Sequence, residues 1–139
     1  VTRLLDINAM LALAWPQHLH YSRMERWVLA QTAQQKLSIA TCPITQLGFV
    51  RVSMNVKGYA ADFDSAAEML NLLVDRKDFD HIFWPDDRAI NSLDKGKLSF
   101  LRPSQLTDVY LASLAEGRRA KFLTLDERIK HQSVEIVPL

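Results

Sequence analysis

The chain has 139 residues, 48% of them hydrophobic and 24% charged, with a net charge of +1. That is enough for one domain with a proper core, and it excludes a global basic field, though a local basic groove remains compatible with it. One cysteine, Cys42, excludes a disulfide framework and a cysteine-rich zinc site.

Residues 2–6 (TRLLD) read as a short buried strand, followed by an apolar helix to about Ala14 that Trp15-Pro16 ends. A second helix is expected from His18 to about Ala33, with Tyr21, Met24, Val28 and Leu29 near helical spacing. KLSIAT is a second strand, and Pro43 stands where a third helix begins, carrying Ile44, Leu47, Val50 and Arg51. KGYAADF is a loop. Asp64 to about Asp75 is the clearest amphipathic helix, with Ala67, Leu70, Leu73 and Val74 on one face. HIFW gives a third strand, followed by a short helix near 87–93 and the polar loop DKGKLSF. Pro103-Ser104 opens a helix to about Ala115 with Ser104 as its N-cap, and AKFLTL and VEIV supply the last two strands.

Strands separated by helices predict an α/β fold, a central parallel sheet of about five strands covered on both faces. There is no internal repeat or linker, so residues 1–139 are expected to form one domain. No apolar run approaches the roughly 20 residues of a membrane span and no signal peptide opens the sequence, so no membrane partner and a cytoplasmic location are expected.

Ligands in such sheets sit beyond the carboxyl ends of the strands. Asp6 and Asp126 both stand there, and Asp108 lies one turn into an apolar helix where a surface acid would not usually be found. If the three converge, each pair at about 5 Å repels by roughly 3 kcal/mol at an effective dielectric near 20. A hard divalent cation, Mg²⁺ or Mn²⁺, would relieve that repulsion and would cut phosphodiesters. Taken singly, Asp6 reads equally as a helix cap, Asp108 as an acid bonded to nearby backbone and Asp126 as a turn residue; their joint placement favours a site.

Four segments in order, LLDINAMLALAW, TCPITQLGFVRVS, LTDVYLASLA and FLTLDERI, resemble the PIN domain, and more narrowly the VapC-type toxins of bacterial toxin–antitoxin pairs. The resemblance covers essentially the whole chain. It implies an α/β/α sandwich, Mg²⁺- or Mn²⁺-dependent endoribonuclease activity on an RNA substrate, homodimers, and a cognate antitoxin protein that blocks the active site. By motif matching, Asp6, Asp108 and Asp126 are the catalytic and metal-site acids, with Asn8 and Thr124 as polar supports. One departure stands out: Gln46 occupies a place where the family commonly has Glu, which leaves three acids instead of four. The rival reading is therefore a weakened PIN-like module that binds RNA or protein.

Arg51, Arg118 and Arg119 are further candidates for RNA contact. His18 and His20, two apart on the expected helix, would point about 200° from each other and so would not share a metal. Cys42 reads as a buried small residue. The four glycines are too scattered for a nucleotide-binding loop. A signalling receiver would need an acidic pair after the first strand, which supplies only Asp6.

Overall fold

The computed structural model describes residues 1–93 and 102–139. Its regular elements are β1 (Arg3–Leu5), α1 (Ile7–Ala14), α2 (Tyr21–Gln31), β2 (Leu37–Thr41), α3 (Pro43–Asn55), α4 (Phe63–Val74), β3 (Phe79–Phe83), α5 (Leu106–Gly117), β4 (Lys121–Thr124) and β5 (Val134–Ile136). The strands pair in the order β3-β2-β1-β4-β5, all parallel. The expected α/β sandwich is therefore present.

Alternation along the strands divides the core in two. Leu5, Ile39 and Leu123 face a layer built from α1 to α4, with Met10, Met24, Val28, Phe49 and Leu70. Leu4, Ala40 and Phe122 face the other way, onto Leu111 and Leu114 of α5. Two helices are apolar all round, the pattern of interior helices: α1 buries Ala9–Leu13 without a break, and α5 buries Val109–Ala115. Trp15 closes α1 by donating its indole N–H to Ser53 Oγ at 2.9 Å and stacking on Tyr59. On the far side of that layer, the buried Arg23 guanidinium donates to the carbonyls of Val137 and Pro138.

Several boundaries differ from the sequence reading, each for a local reason. The second helix begins at Tyr21, because the His20 N–H turns back to His18 Nδ1 and the Tyr21 N–H to the His18 carbonyl. α4 begins at Phe63, where Asp62 accepts the Ser65 N–H at 2.8 Å. Its buried face uses Ala66, and Ala67 is only half-buried. The helix expected near 87–93 is a single 3-10 turn, Ile90–Ser92. Ser104 does not cap: Pro103–Gln105 form a 3-10 turn that leads into α5, and Gln105 stands at the N-cap. The loop DKGKLSF lies outside the described residues.

One glycine lets α3 approach the start of α1 closely. Gly48 of α3 faces Ile7, and a Cβ at Gly48 would lie 2.3 Å from Ile7 Cδ1 and 2.9 Å from Cγ1. Ile7 is the first residue of α1 and follows Asp6 directly, so a side chain at position 48 would press on the residue next to that acid. Gly48→Ala should destabilise the fold by about 1–3 kcal/mol, the usual cost of overpacking. Urea unfolding measures it, and an unchanged midpoint would show that Ile7 swings aside freely.

Candidate active site

Asp6 and Asp126 leave neighbouring strands, β1 and β4. The chain builds β2 and β3 on one side of β1, then crosses to add β4 on the other. Open parallel sheets leave a crevice at such a switch point, beyond the strand ends.

Asp6 is 7% exposed. The N–H groups of Ile7 and Asn8 at the start of α1 approach its carboxylate without forming a full capping bond; the carboxylate accepts the Thr124 hydroxyl at 2.7 Å. The same Thr124 oxygen accepts the Asp126 N–H at 3.0 Å. A fully buried hydroxyl thus ties the two strand-end acids together. Asp108 enters from the first turn of α5. With Asp126 it lines a cleft of about 310 Å³ that also includes Arg102, Ser104, Gln105 and Arg128.

The three carboxyl groups share one field. Burial raises the Asp6 carboxyl above its ordinary range, more than the Thr124 hydroxyl and the N–H groups of Ile7 and Asn8 pull it down, and the charge of Asp126 adds to the rise. Asp108 is pushed up to about 6, first by burial and then by the charges of Asp6 and Asp126, against the pull of Arg128. Asp126 moves the other way: hydrogen bonds from Arg128 hold it below the usual carboxylate range. Burial on two of the carboxyls and an arginine on the third thus set them apart, with like charge a smaller contribution.

The supporting residues are placed as follows. Asn8 is exposed in the first turn of α1, and its Oδ1 lies 2.8 Å from His18 Nε2. Since His18 Nδ1 already accepts the His20 N–H, this network assigns the proton to Nε2, which donates to Asn8. His18 and His20 precede α2 and so are not spaced on a helix as the sequence reading expected. Gln46 donates its amide to Thr41 Oγ1 at 2.9 Å, and that hydroxyl pairs with His81 Nε2 at 2.7 Å. Its side chain is thus engaged at the end of β2.

The three arginines singled out in the sequence lie elsewhere than the cleft. Arg51 is exposed on α3 among Leu47, Val50, Met54, Asn55 and Phe63. Arg118 is pinned to Asp87 at 3.2 Å with its guanidinium over Trp84. Arg119 occupies a left-handed turn (φ 54°) after α5. That residue, not Gly117, supplies the positive φ at the helix end. The basic groups beside the acids are Arg102 and Arg128, which the sequence reading passed over. The D-x-R spacing of Asp126 and Arg128 was the available signal.

No protein-family model matches the chain. Curated relatives do. Ribonuclease VapC38 of Mycobacterium tuberculosis is 38% identical over 123 residues, covering 88% of this chain and 84% of that protein. Ribonuclease VapC29 of the same species is 30% identical over 142 residues, covering 100% and 96%. This chain belongs to the VapC ribonuclease family. A crystal structure of VapBC2 from Rickettsia felis, bound to a DNA fragment from its promoter, superposes with a TM-score of 0.65 over 98% of both chains at 13% identity. At that identity the likeness speaks for the fold.

The donor set in this VapC chain suits a hard cation. Among the described residues no group of three or more His, Cys, Asp or Glu side chains is arranged to hold a metal ion; the cleft itself is lined by two carboxylates, Asp108 and Asp126. Mg²⁺ keeps several of its waters and uses one or two carboxylates, which an open cleft with crowded carboxyls satisfies. The upward shift of Asp108 comes first from burial and only then from the charges of Asp6 and Asp126, the part that a cation would offset.

The same shift has a sign in stability. A carboxyl raised on folding favours the folded state when protonated, so its contribution is full below about pH 4 and is lost as pH rises through about 6. In EDTA at pH 7.5, Asp108→Asn should therefore be more stable than wild type by on the order of 1–2 kcal/mol, after allowance for solvent screening of a half-buried group. Thermal melts across pH check this; the difference should close by about pH 4.

Proposed function

We propose that this VapC chain is the toxin of a toxin–antitoxin pair, an endoribonuclease that hydrolyses RNA phosphodiester bonds at Asp6, Asp108 and Asp126 with Mg²⁺ or Mn²⁺. The observation that carries the reading is the Asp6–Thr124–Asp126 chain of bonds at the sheet's switch point, beside a cleft that Asp126 shares with Asp108, in a chain whose relatives are named ribonucleases. Bound there, the cation would polarise a phosphoryl oxygen and lower the pKa of water. Asp108 and Asp126, which line the cleft, would hold it directly, with Asp6 tied to Asp126 through Thr124 and within reach of its bound waters. Thr124 orients two of the acids, and Asp108, raised in the free protein chiefly by burial, gives up its proton when the cation arrives. Asn8, whose Oδ1 is engaged by His18, offers its NH₂ group to a phosphate.

Gln46 does not argue for the weakened-module reading. Its amide serves Thr41, so the Asp6–Thr124–Asp126 chain of bonds is complete without a fourth acid. An antitoxin partner belongs to the same proposal, supported by the fold shared with VapBC2, and a homodimer is carried by the family resemblance. No helix among the described residues is long and apolar enough to cross a membrane; we place the protein in the cytoplasm, with its RNA.

The test is cleavage of RNA by the purified protein. Mg²⁺ or Mn²⁺ should support it, excess EDTA should stop it, and Asp6→Asn should abolish it. Thr124→Val should reduce activity by about 10–100-fold, the usual effect of removing a hydrogen bond that orients a metal ligand. Cleavage that persists in EDTA or in Asp6→Asn would overturn the reading.

A further inference from the structure

Asp126 is the most engaged of the three acids. Arg128 Nε donates to its Oδ1 at 3.0 Å and Arg128 Nη2 to its Oδ2 at 2.9 Å. The Arg128 backbone N–H also donates to Oδ1, at 2.9 Å. A planar guanidinium thus lies in fork geometry across both carboxylate oxygens. A metal ion that took those oxygens from the cleft side would meet a positive charge already seated on them.

That seat is loose. The Arg128 side chain is 81% exposed, and Asp126 only 27%. Among the described residues the guanidinium's hydrogen bonds all go to Asp126. Exposed ion pairs are weak and screened by salt. The backbone N–H bond anchors Arg128 beside the acid independently of its side chain. Around the pair, Asp108 faces it from α5, and Arg102, Ser104 and Gln105 complete the cleft. A phosphodiester reaching the cleft carries two unesterified oxygens, the acceptor arrangement that a guanidinium fork matches.

We propose that Arg128 is a displaceable counter-cation: it neutralises Asp126 in the metal-free protein and, when a divalent cation takes that carboxylate, turns its guanidinium to a phosphate of the RNA. The inference rests on the metal-dependent reading above. It makes metal and RNA binding mutually reinforcing, since each ligand favours the same release of Arg128 and coupling between two sites is reciprocal.

Two titrations test it. Mn²⁺ binding to wild type, Arg128→Gln and Asp6→Asn is followed by the EPR signal of the free ion. Binding of a labelled RNA oligonucleotide is followed by anisotropy in Mn²⁺ and in EDTA, before cleavage and with RNA integrity checked on a gel. Arg128→Gln should bind Mn²⁺ about five-fold more tightly than wild type, the scale of one exposed ion pair removed. Mn²⁺ should strengthen RNA binding by wild type but not by Arg128→Gln, and the two should bind RNA alike in EDTA. Arg128→Lys, a point charge without the fork, should recover part of the Mn²⁺ enhancement. Equal Mn²⁺ affinities for wild type and Arg128→Gln, or an RNA enhancement that survives in Arg128→Gln, would overturn the counter-cation role while leaving the metal reading intact. If wild type binds no Mn²⁺, or Asp6→Asn binds it as well as wild type, the metal reading fails and this inference with it.

Discussion

The hydroxyl of Thr124 holds together two strands that end on negative charge. Asp6 and Asp126 follow β1 and β4, which are hydrogen-bonded neighbours as far as the Asp6 N–H on the Leu123 carbonyl. Beyond that point the ladder stops and the carboxylates would part if left to mutual repulsion. Thr124 donates to one acid and accepts from the backbone of the other, so both remain at one height above the sheet. Because the oxygen is fully buried, water does not compete for either bond, and a low local dielectric strengthens them. Asp126, held in this way, is the acid that Arg128 grips and that shares a cleft with Asp108.

Such a site opposes folding. A carboxyl that ends up more protonated than it would be in the unfolded chain subtracts stability at neutral pH, and two of the three acids are shifted in that direction. The scaffold offsets this with interior helices on each face of the sheet and with Arg23, whose buried guanidinium is satisfied by the carbonyls of Val137 and Pro138. Burial cost and repulsion concentrated at a functional site, with stability supplied elsewhere, is a common division of labour.

Much of this was legible in the residues. Apolar runs ending on Asp6 and just before Asp126, with helical segments between strands, were enough to place two acids at the carboxyl edge of a parallel sheet. The unbroken apolar character of the helix around Asp108 marked that acid as unusual, and its burial is the leading cause of its shift. What escaped was set by contacts that local sequence does not encode. Arg128 reads as a surface residue in a turn until β4 and α5 are seen to bring Asp126 and Asp108 to one cleft. Ser104 carries every mark of a cap, yet Pro103 leads into a 3-10 turn that moves the cap to Gln105. The His18–His20 segment looked like the start of a helix because its side chains are compatible with one; bonds from His18 to Asn8 and to the His20 backbone hold it as a turn.

The contact between Gly48 and Ile7 bears on how loss-of-function screens of this protein should be interpreted. A saturation screen that scores only whether a variant is harmless will put Gly48 beside Asp6, since any side chain at 48 presses on the residue next to that acid. Gly48 has no side chain to offer to a cation, and what faces it is Ile7. Alleles at this position will differ from alleles at the acids in another respect: they report steric volume, graded with the size of the new side chain, whereas replacing a carboxylate is all-or-none in charge. A size-ordered series at position 48 therefore separates architecture from chemistry in the same genetic assay.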